Sequence, residues 1–370
     1  MRPDIRGQIN DSPRVRLGFI GCGGHSFRNI YPTFQFAPID LIATCDLNAD
    51  RAAAYAKQFG ADRSYTDHRE MLAKEPLDAV FIVTNYDDQG RPRYVKLATD
   101  CVKAGRHVWM EKPPAQNAAE LQELKKTAGD LNVMVGLKKM FFPANEKAHE
   151  LASSPAFGKI AMATLQYPER IPTLEEFARY HRGERVWEVV GFLDHLCHPM
   201  SLLIFLMGMP QTLFYERAES GAGVATFTYA DGRLANFVMA HGLAGNGGME
   251  RTTLISGTGG GHILVDNNLR VAWHRDAPGR GYGTSPTYYV GTPEQTSSVW
   301  EPEFSLGQLY NKGLFLLGYA GEVTEFATAI LEKRRVKKAH LDHAIQVTQI
   351  FEAFAQGPGK TIQLPTSDAG

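Results

Sequence analysis

Apolar runs of strand length alternate with amphipathic stretches of helical length between Val15 and about Lys138. The predicted strands are Val15–Ile20, Leu41–Cys45, Ala79–Val83, His107–Met110 and Val133–Gly136. The predicted helices between them are Asp50–Phe59, Asp67–Ala73, Arg93–Ala104 and Ala118–Ala128, with Asp67 and Asn117 as N-caps. Strands that alternate with helices predict an α/β fold with a doubly wound parallel sheet.

The pattern changes after about Pro143. A predicted helix, Ala144–Ala152, precedes a strand over Lys159–Tyr167 and a long apolar helix over Val189–Leu206. Turn residues then separate five runs of strand character: Gln211–Glu216, Gly223–Tyr229, Leu234–Ala240, Thr252–Ser256 and His262–Val265. Residues 276–312 are rich in loop residues and are expected to form a pocket rim, and two helices, Gly321–Lys333 and Leu341–Ala355, follow. We therefore predict a domain over 1–142 and a second, α+β domain with a mostly antiparallel sheet over 143–370.

Glycines crowd the turn after the first strand. Gly21 and Gly23 occupy the first two positions of a G-x-G-x-x-G motif, Gly24 follows, and Ser26 stands at the third position. Gly21 permits a tight turn, and Gly23 allows a pyrophosphate to approach the backbone at the start of a helix. A glycine-rich turn without a ligand is the alternative. Because strand, glycines, helix and the acidic Asp46 occur in the required order, we predict a dinucleotide site.

Asp46 ends the second predicted strand, where a carboxylate can accept hydrogen bonds from a ribose diol. It suits the free 2′-hydroxyl of NAD and repels the 2′-phosphate of NADP, and no arginine follows it before Arg51. NAD is therefore expected rather than NADP. The residues expected at the cofactor site are Gly21, Gly23, Gly24, His25, Ser26, Asp46, Leu47, Thr84, Asn85, Glu111 and Lys112.

Candidate chemistry lies in two further places. In a doubly wound sheet, ligands sit beyond the carboxyl ends of the strands, where Thr84, Asn85 and the stretch Glu111–Pro114 fall. Lys112 there is either a surface lysine or an ammonium beside the nicotinamide. Asp194 and His198 are four residues apart, hence on one face of a helix. They form either a core histidine held by a carboxylate or a polar pair in a site.

Composition narrows the function. The chain has 370 residues, a net charge of −1 and four widely spaced cysteines without a C-x-x-C pair. These features argue against nucleic-acid partners and a disulfide framework. The N-terminus is polar, and the longest apolar stretch contains Asp194 and two histidines, so we expect no membrane span and a cytoplasmic protein. Asp194, His195, Cys197 and His198 cannot all converge on one ion from a regular helix, so no metal is expected.

Four motifs make the chain similar to a known family. They are FIGCGG at 19–24, CDLN at 45–48, AGRHVWMEKPPA at 104–115 and GFLDHLCHPMSLL at 191–203. The chain resembles the glucose–fructose oxidoreductase/inositol dehydrogenase (Gfo/Idh/MocA) family. The resemblance implies a Rossmann domain and a domain with a large open sheet that serves as a homo-oligomer interface, giving a dimer or tetramer. It also implies NAD(P)-dependent oxidation or reduction of a hydroxyl-bearing carbon in a sugar, cyclitol (inositol) or glycoside.

The resemblance also assigns roles to residues. Lys112 matches the family's catalytic lysine, Asp194 and His198 match its polar pair beside the substrate, and the Lys112–Pro113 bond is expected to be cis. The departures are Pro114, a longer loop after Thr84 that lacks a common histidine and carries Arg91 and Arg93 nearby, and Lys138-Lys139-Met140 in place of an arginine-rich stretch. Weaker candidates for substrate contact are Lys139, Tyr167, Arg182, Trp187, Tyr282 and His241.

Two assignments stay open at this point. We expect His198 to act as the base and Lys112 to polarise the reacting oxygen, with Asp194 orienting the site, although the reverse assignment of base is also consistent. A dehydrogenase is the first functional hypothesis. The alternatives are a hydrolase or lyase that keeps NAD bound and oxidises the sugar transiently, and an NAD-sensing protein without catalysis.

Overall fold

The first sheet of the protein is parallel and six-stranded. The structure, a computed structural model, describes residues 13–244, 248–275, 296–303 and 311–365. The strands of this sheet are β1 Val15–Ile20, β2 Ile39–Cys45, β3 Arg63–Tyr65, β4 Ala79–Ile82, β5 His107–Met110 and β6 Val133–Val135. Their order is β3-β2-β1-β4-β5-β6, and each neighbouring pair is parallel. The predicted doubly wound sheet is confirmed.

Helices connect these strands. They are α1 Ala49–Phe59, α2 His68–Lys74, α3 Tyr94–Lys103 and α4 Ala118–Ala128. Asp67 and Asn117 cap α2 and α4 as expected, since each side chain accepts a hydrogen bond from a backbone N–H in the first turn. All residues of β4 are buried, as expected for a parallel strand covered on both faces.

The connection from β1 to β2 differs from the regular helix that its length suggested. It consists of a π-helical segment, Ser26–Ile30, followed by a 3₁₀ helix, Tyr31–Gln35. Pro32 at the start of the second segment lacks an N–H, so an unbroken α-helical ladder cannot continue there. The ring of Tyr31 stacks on Phe19 of β1 with centroids 4.1 Å apart, which fixes this segment against the sheet.

The second sheet has nine strands among the residues that the structure describes. They are β7 Ile160–Tyr167, β8 Thr212–Arg217, β9 Gly223–Thr228, β10 Leu234–Met239, β11 Arg251–Ser256, β12 His262–Asp266, β13 Arg270–His274, β14 Ser297–Trp300 and β15 Ile362–Gln363. The order is β14-β13-β12-β11-β7-β10-β9-β8-β15. Only the β7–β10 pair among these strands is parallel, so the expected mostly antiparallel open sheet is confirmed.

Six helices accompany this sheet within the described part of the chain. They are α5 Pro143–Ala152, α6 Leu174–His181, α7 Trp187–Met207, α8 Lys312–Leu316, α9 Tyr319–Leu331 and α10 Leu341–Phe354. Helix α7 is long and apolar enough to cross a membrane by length and composition, but 72% of its most apolar window is buried within the protein. Phe192 of α7 packs edge-on against Phe354 of α10, with centroids 5.4 Å apart. Core packing therefore accounts for its apolar composition.

The last two helices return to the first sheet. Phe326 of α9 packs against Phe81 of β4 with centroids 5.5 Å apart, and Glu352 of α10 accepts a hydrogen bond from the N–H of Ala118. The chain end thus covers a sheet that the first 142 residues build. The division of the chain at 142/143 remains a prediction.

Several short elements were not anticipated from the sequence: β3, α6, β13, β14, α8 and β15. Strand β14 lies within the stretch 276–312, which we expected to be loop, and it pairs with β13 at the sheet edge. Of that stretch, residues 276–295 and 304–310 lie outside the described part of the chain, so the pocket rim stays a prediction.

Candidate active site

The glycine turn at the end of β1 has room for a ligand on one side only. Gly21 has φ +104°, and a Cβ added there would lie 1.8 Å from the carbonyl oxygen of Val83. Any side chain at Gly21 therefore collides with the backbone of the neighbouring strand. Gly23 and Gly24 differ, because an added Cβ would meet no atom of the described residues within 4 Å. The turn is closed against the sheet at Gly21 and open at Gly23 and Gly24.

Ser26, the departure from the glycine motif, holds this turn together. Its buried hydroxyl accepts a hydrogen bond from the N–H of Gly23 at 3.0 Å and lies 2.8 Å from the Gly23 carbonyl oxygen. Tyr55 of α1 also donates to that carbonyl at 3.0 Å. A serine here replaces the close packing of a third glycine with side-chain hydrogen bonds that shape the turn.

Asp46 lies at the end of β2 beside the glycine turn. One carboxylate oxygen accepts from the N–H of Cys22 and the other from the N–H of Asn48, each at 2.9 Å. The guanidinium of Arg51 is 3.9 Å away, and Leu47 next to Asp46 is exposed. The carboxylate is thus held in place next to open space, as a ribose-binding group requires.

At the end of β4, Thr84 presents an unsatisfied group. Its hydroxyl oxygen is buried and has no hydrogen-bond partner among the residues described, while its carbonyl accepts from the Tyr94 hydroxyl at 2.9 Å. Asn85 beside it is exposed. A buried unpaired hydroxyl at a strand end, an open glycine turn and a fixed carboxylate fit the outline of a bound dinucleotide.

Glu111 at the end of β5 is buried, and each of its carboxylate oxygens already has a hydrogen-bond partner. One oxygen is 2.9 Å from Nε2 of His25, and the other accepts from the N–H of Lys112 at 2.9 Å. Burial acts to raise the pKa of Glu111, but His25 and two lysines outweigh it, so the pKa lies below its usual value. Glu111 and His25 therefore hold the loop that carries Lys112, in which the Lys112–Pro113 peptide bond is cis as the resemblance implied.

Lys112 and Asp194 come together across the two parts of the chain. The Lys112 ammonium donates to one carboxylate oxygen of Asp194 at 2.7 Å, and Tyr86 donates its hydroxyl to the other at 2.8 Å. The Lys112 side chain is only 14% exposed. Burial alone would lower its pKa, but Asp194 and Glu111 outweigh that effect and raise the pKa above the usual lysine value. Lys112 is therefore an ammonium at neutral pH.

His198 lies one helical turn beyond Asp194 on α7. Its ring centroid is 6.5 Å from that of Tyr167, and no described residue forms a hydrogen bond with the ring. Burial lowers the pKa of His198 well below the usual histidine value, and the positive charges of Lys112, Lys138 and Lys139 lower it further. The imidazole is therefore neutral and able to accept a proton at pH 7.

A second polar pair stands beside Asp194. His195 forms a short hydrogen bond through Nδ1 to Glu169, which follows β7, and its Nε2 is 3.8 Å from Asp194. This contact with Glu169 raises the pKa of His195. Cys197 instead donates its thiol to the carbonyl of Leu193 in the same helix at 3.3 Å. Tyr86 and Glu169 are the two site neighbours that sequence reasoning missed, and no motif marks either of them.

The lysines after β6 point in different directions. Lys138 donates to the Tyr319 hydroxyl at 2.6 Å, and burial lowers the pKa of Lys138 to about 8. Lys139 is buried and forms a short ion pair with Glu250. Its charge is therefore already paired within the protein.

The weaker substrate candidates separate into near and distant residues. Tyr167 is buried next to His198 and Lys139. Arg182 is exposed and pairs with Glu184, Trp187 is 58% exposed, and His241 is exposed, so none of these three is linked to Asp194 by a described contact. Tyr282 lies outside the described residues.

An open glycine turn, a fixed carboxylate beside it and a lysine–carboxylate pair near a neutral histidine together form one candidate site. Residues 15–139 match the GFO_IDH_MocA family model, an oxidoreductase family with an NAD-binding Rossmann fold. Residues 15–139 therefore belong to the NAD-binding Rossmann domain of this oxidoreductase family, which confirms for this part of the chain the resemblance seen in the sequence motifs.

Individual relatives and a solved structure share 19–26% of their aligned residues with this chain. The chain is 22% identical to myo-inositol 2-dehydrogenase of Thermotoga maritima over 298 residues, which cover 78% of this chain and 79% of that protein. It is 26% identical to 4-carboxy-2-hydroxymuconate-6-semialdehyde dehydrogenase of Sphingobium sp. over 198 residues, covering 52% of this chain but only 59% of that protein. A dehydrogenase structure from Chromobacterium violaceum superposes with a TM-score of 0.75 at 19% identity, covering 94% and 96% of the two chains. This last likeness shows the fold alone.

A first prediction concerns the open side of the glycine turn. Gly23→Val is expected to weaken NAD binding at least about tenfold, because the new side chain fills the space that a pyrophosphate needs. The thermal midpoint should hardly change, since the added Cβ meets no described atom within 4 Å. Titration of NAD by calorimetry and a thermal melt measure the two effects.

Gly313→Val is the matched control, because an added Cβ there also meets no atom of the described residues within 4 Å and Gly313 lies in α8. Unchanged NAD affinity in Gly23→Val would show that the turn does not cradle the cofactor.

Proposed function

We propose that the protein transfers a hydride between a secondary hydroxyl of a sugar, cyclitol or glycoside and NAD. The observation that carries this proposal is the juxtaposition of Lys112, Asp194 and His198, with the Lys112 ammonium 2.7 Å from Asp194. Lys112 follows a strand of the nucleotide-binding sheet, and the other two come from α7. An alcohol dehydrogenase needs a bound NAD as hydride acceptor and side chains that transfer the hydroxyl proton, and here an NAD-binding domain lies next to candidate side chains for that transfer.

The residues present fit NAD. The open turn at Gly23 and Gly24 would hold the pyrophosphate, Asp46 the ribose diol, and the unpaired hydroxyl of Thr84 a polar group of the nicotinamide half. When bound, NAD supplies the hydride acceptor. Glu111 is buried, and its bonds to His25 and to the N–H of Lys112 favour a role of this pair in holding the Lys112 loop over a direct contact with the cofactor.

The charge states of the free protein support one division of roles. His198 is neutral, so it accepts the proton that leaves the substrate hydroxyl. Lys112 is an ammonium, so it donates a hydrogen bond to the reacting oxygen and stabilises negative charge that develops there. Asp194 holds the ammonium in position. This assignment favours His198 over Lys112 as the base.

NAD is proposed over NADP because of Asp46. A second negative charge from a 2′-phosphate would lie next to this carboxylate, and the guanidinium of Arg51 is already 3.9 Å from the carboxylate. Asp46→Ser should reduce the ratio of kcat/KM with NAD to kcat/KM with NADP by at least about tenfold, the scale of one hydrogen bond to a charged group.

The ratio is the informative quantity, because loss of the bonds from Cys22 and Asn48 to Asp46 affects both cofactors alike. Asp50→Ser, in the exposed first turn of α1, is the control and should leave the ratio unchanged. A ratio that does not move in Asp46→Ser would count against NAD selection by this residue.

The proposed substrate class rests on the polar groups around Lys112 and on the similarity of the chain to a myo-inositol 2-dehydrogenase. A direct test starts with protein purified without added cofactor, from which nucleotide is released and identified by absorbance. Reduction of NAD is then followed with a panel of inositols, aldoses and glycosides. NADH that accumulates with one class supports a dehydrogenase for that class.

Other outcomes of this test point elsewhere. Tightly held NAD without net NADH formation would favour the hydrolase or lyase that oxidises its substrate transiently. A protein that binds no nucleotide, even when NAD is offered, would overturn the proposal.

Assembly is proposed through the second sheet. Five exposed apolar side chains lie on its outer face according to strand register: Phe214, Val224, Leu234, Ile255 and Val299. A dimer or tetramer of this chain would remove them from water. We propose such a homo-oligomer in the cytoplasm, with a small-molecule substrate and neither nucleic acid nor membrane as partner.

A further inference from the structure

The loop between β4 and α3 reaches the candidate active site. It spans residues 83–93, whereas strand-to-helix connections in such sheets are normally about 2–6 residues long. The Asp87 carboxylate accepts from the N–H groups of Gln89 and Arg91, which closes the loop tip on itself. The extra length therefore forms an ordered turn.

This loop is attached to the start of α7. Gly90, with φ +78°, is buried, and an added Cβ would lie 2.7 Å from the side chain of Val190. Arg185 just before the helix donates to the carbonyl of Asp88 at 2.6 Å. The loop and the first turns of α7 therefore form one packed unit, and Tyr86 approaches the helix from that unit.

Tyr86 completes the environment of Asp194. Its hydroxyl donates to one carboxylate oxygen at 2.8 Å while Lys112 donates to the other at 2.7 Å. Burial and the negative charge of Asp194 raise the pKa of Tyr86, so the phenol stays protonated and acts as the donor. The terminal torsion of an aspartate is soft, and two donors on separate elements fix it where one would not.

We propose that Tyr86 is a positioning residue that orients Asp194 and, through it, the ammonium of Lys112. This inference rests on the proposed function for its kinetic consequence. Without the phenol, the free oxygen of Asp194 would turn toward water, and the Asp194–Lys112 contact would be formed for less of the time. Lys112 would then meet the substrate oxygen in the correct geometry less often, which lowers turnover more than substrate binding.

A double-mutant cycle tests whether Tyr86 acts through Asp194. Tyr86→Phe, which removes one oxygen and keeps the ring, should lower kcat about tenfold with little change in KM for the substrate. Asp194→Asn should lower kcat further, and the double variant should be no slower than Asp194→Asn alone, because the residue that Tyr86 orients has already been altered.

Tyr215→Phe is the matched control. Its hydroxyl donates to the carbonyl of Phe354 at 2.7 Å in the second sheet, so the same chemical change is made at a similar bond away from Asp194. Losses that multiply in the double variant would overturn the proposal. A raised KM with unchanged kcat in Tyr86→Phe would also overturn it, since Tyr86 would then contact the substrate.

A second readout needs no turnover. Acetic anhydride modifies only unprotonated amines. The acetylation of Lys112 therefore reports how strongly Asp194 stabilises the protonated form of Lys112. We expect Tyr86→Phe to raise the acetylation of Lys112, relative to the exposed Lys125 of the same sample, at least about threefold, as a fall of half a pKa unit requires. Mass spectrometry of the two peptides gives the ratio.

An unchanged ratio would overturn the positioning role whether or not a substrate is known. If wild-type protein oxidises no polyol but the ratio rises as expected, the proposed substrate class fails while the role of Tyr86 stands.

Discussion

Lys112→Ala is expected to lower kcat at least about a hundredfold, the scale of one lost acid–base or charge-stabilising group. The ammonium is the only cation within hydrogen-bond distance of Asp194 among the described residues, and its side chain is 86% covered. Its removal takes away the proposed donor to the reacting oxygen and leaves the Asp194 carboxylate without its ion-pair partner. Steady-state kinetics with the substrate class identified by the panel measures the loss.

Lys125→Ala is the matched control, since Lys125 is exposed and pairs with Asp342 at the surface. It should turn over like wild type. A thermal melt and NAD titration of Lys112→Ala separate a chemical defect from unfolding or loss of cofactor. Near-normal kcat in a folded, NAD-bound Lys112→Ala protein would remove Lys112 from the mechanism.

His198→Ala is expected to lower kcat by a similar factor, at least about a hundredfold, because it removes the proposed base. The pH profile of the wild type adds a sharper test. Burial and three lysines lower the pKa of His198, so the imidazole stays neutral as the pH falls through 6.5. The wild-type kcat/KM should therefore hold through pH 6.5 and decline only at lower pH, where the ring takes up a proton.

The opposite assignment predicts a different profile. If Lys112 were the base, only its neutral amine would react, and its raised pKa would make kcat/KM climb with pH throughout the neutral and alkaline range. His181→Ala, an exposed histidine at the end of α6, is the control for His198→Ala. A flat loss that leaves the acid limb of the profile in place would show that His198 is not the group that titrates.

Much of the fold follows from local pattern. The run Ala79–Ile82 is apolar and is buried at every residue, so these four residues alone predict a parallel strand that is covered on both faces. Asn117 caps α4 by accepting a hydrogen bond from the N–H of Glu120 three residues on, a local contact that the residue type predicts. Short or exposed elements lack such a pattern and are not predicted from the sequence. Strand β3 is three residues long and partly exposed, and its pairing with β2 places it in the sheet.

The candidate site also has features that the sequence predicts and features that it does not predict. The glycine turn and the strand-end position of Lys112 could be predicted from the residues alone, because steric freedom at Gly21 and strand boundaries depend on neighbouring residues. The spacing of Asp194 and His198 also placed both residues on one helix. The contacts of Tyr86 with Asp194 and of Glu169 with His195 could not be predicted in this way, because each joins residues that are far apart in the chain. Such contacts depend on how elements pack, and local periodicity records only which faces are buried and not which side chains meet across them.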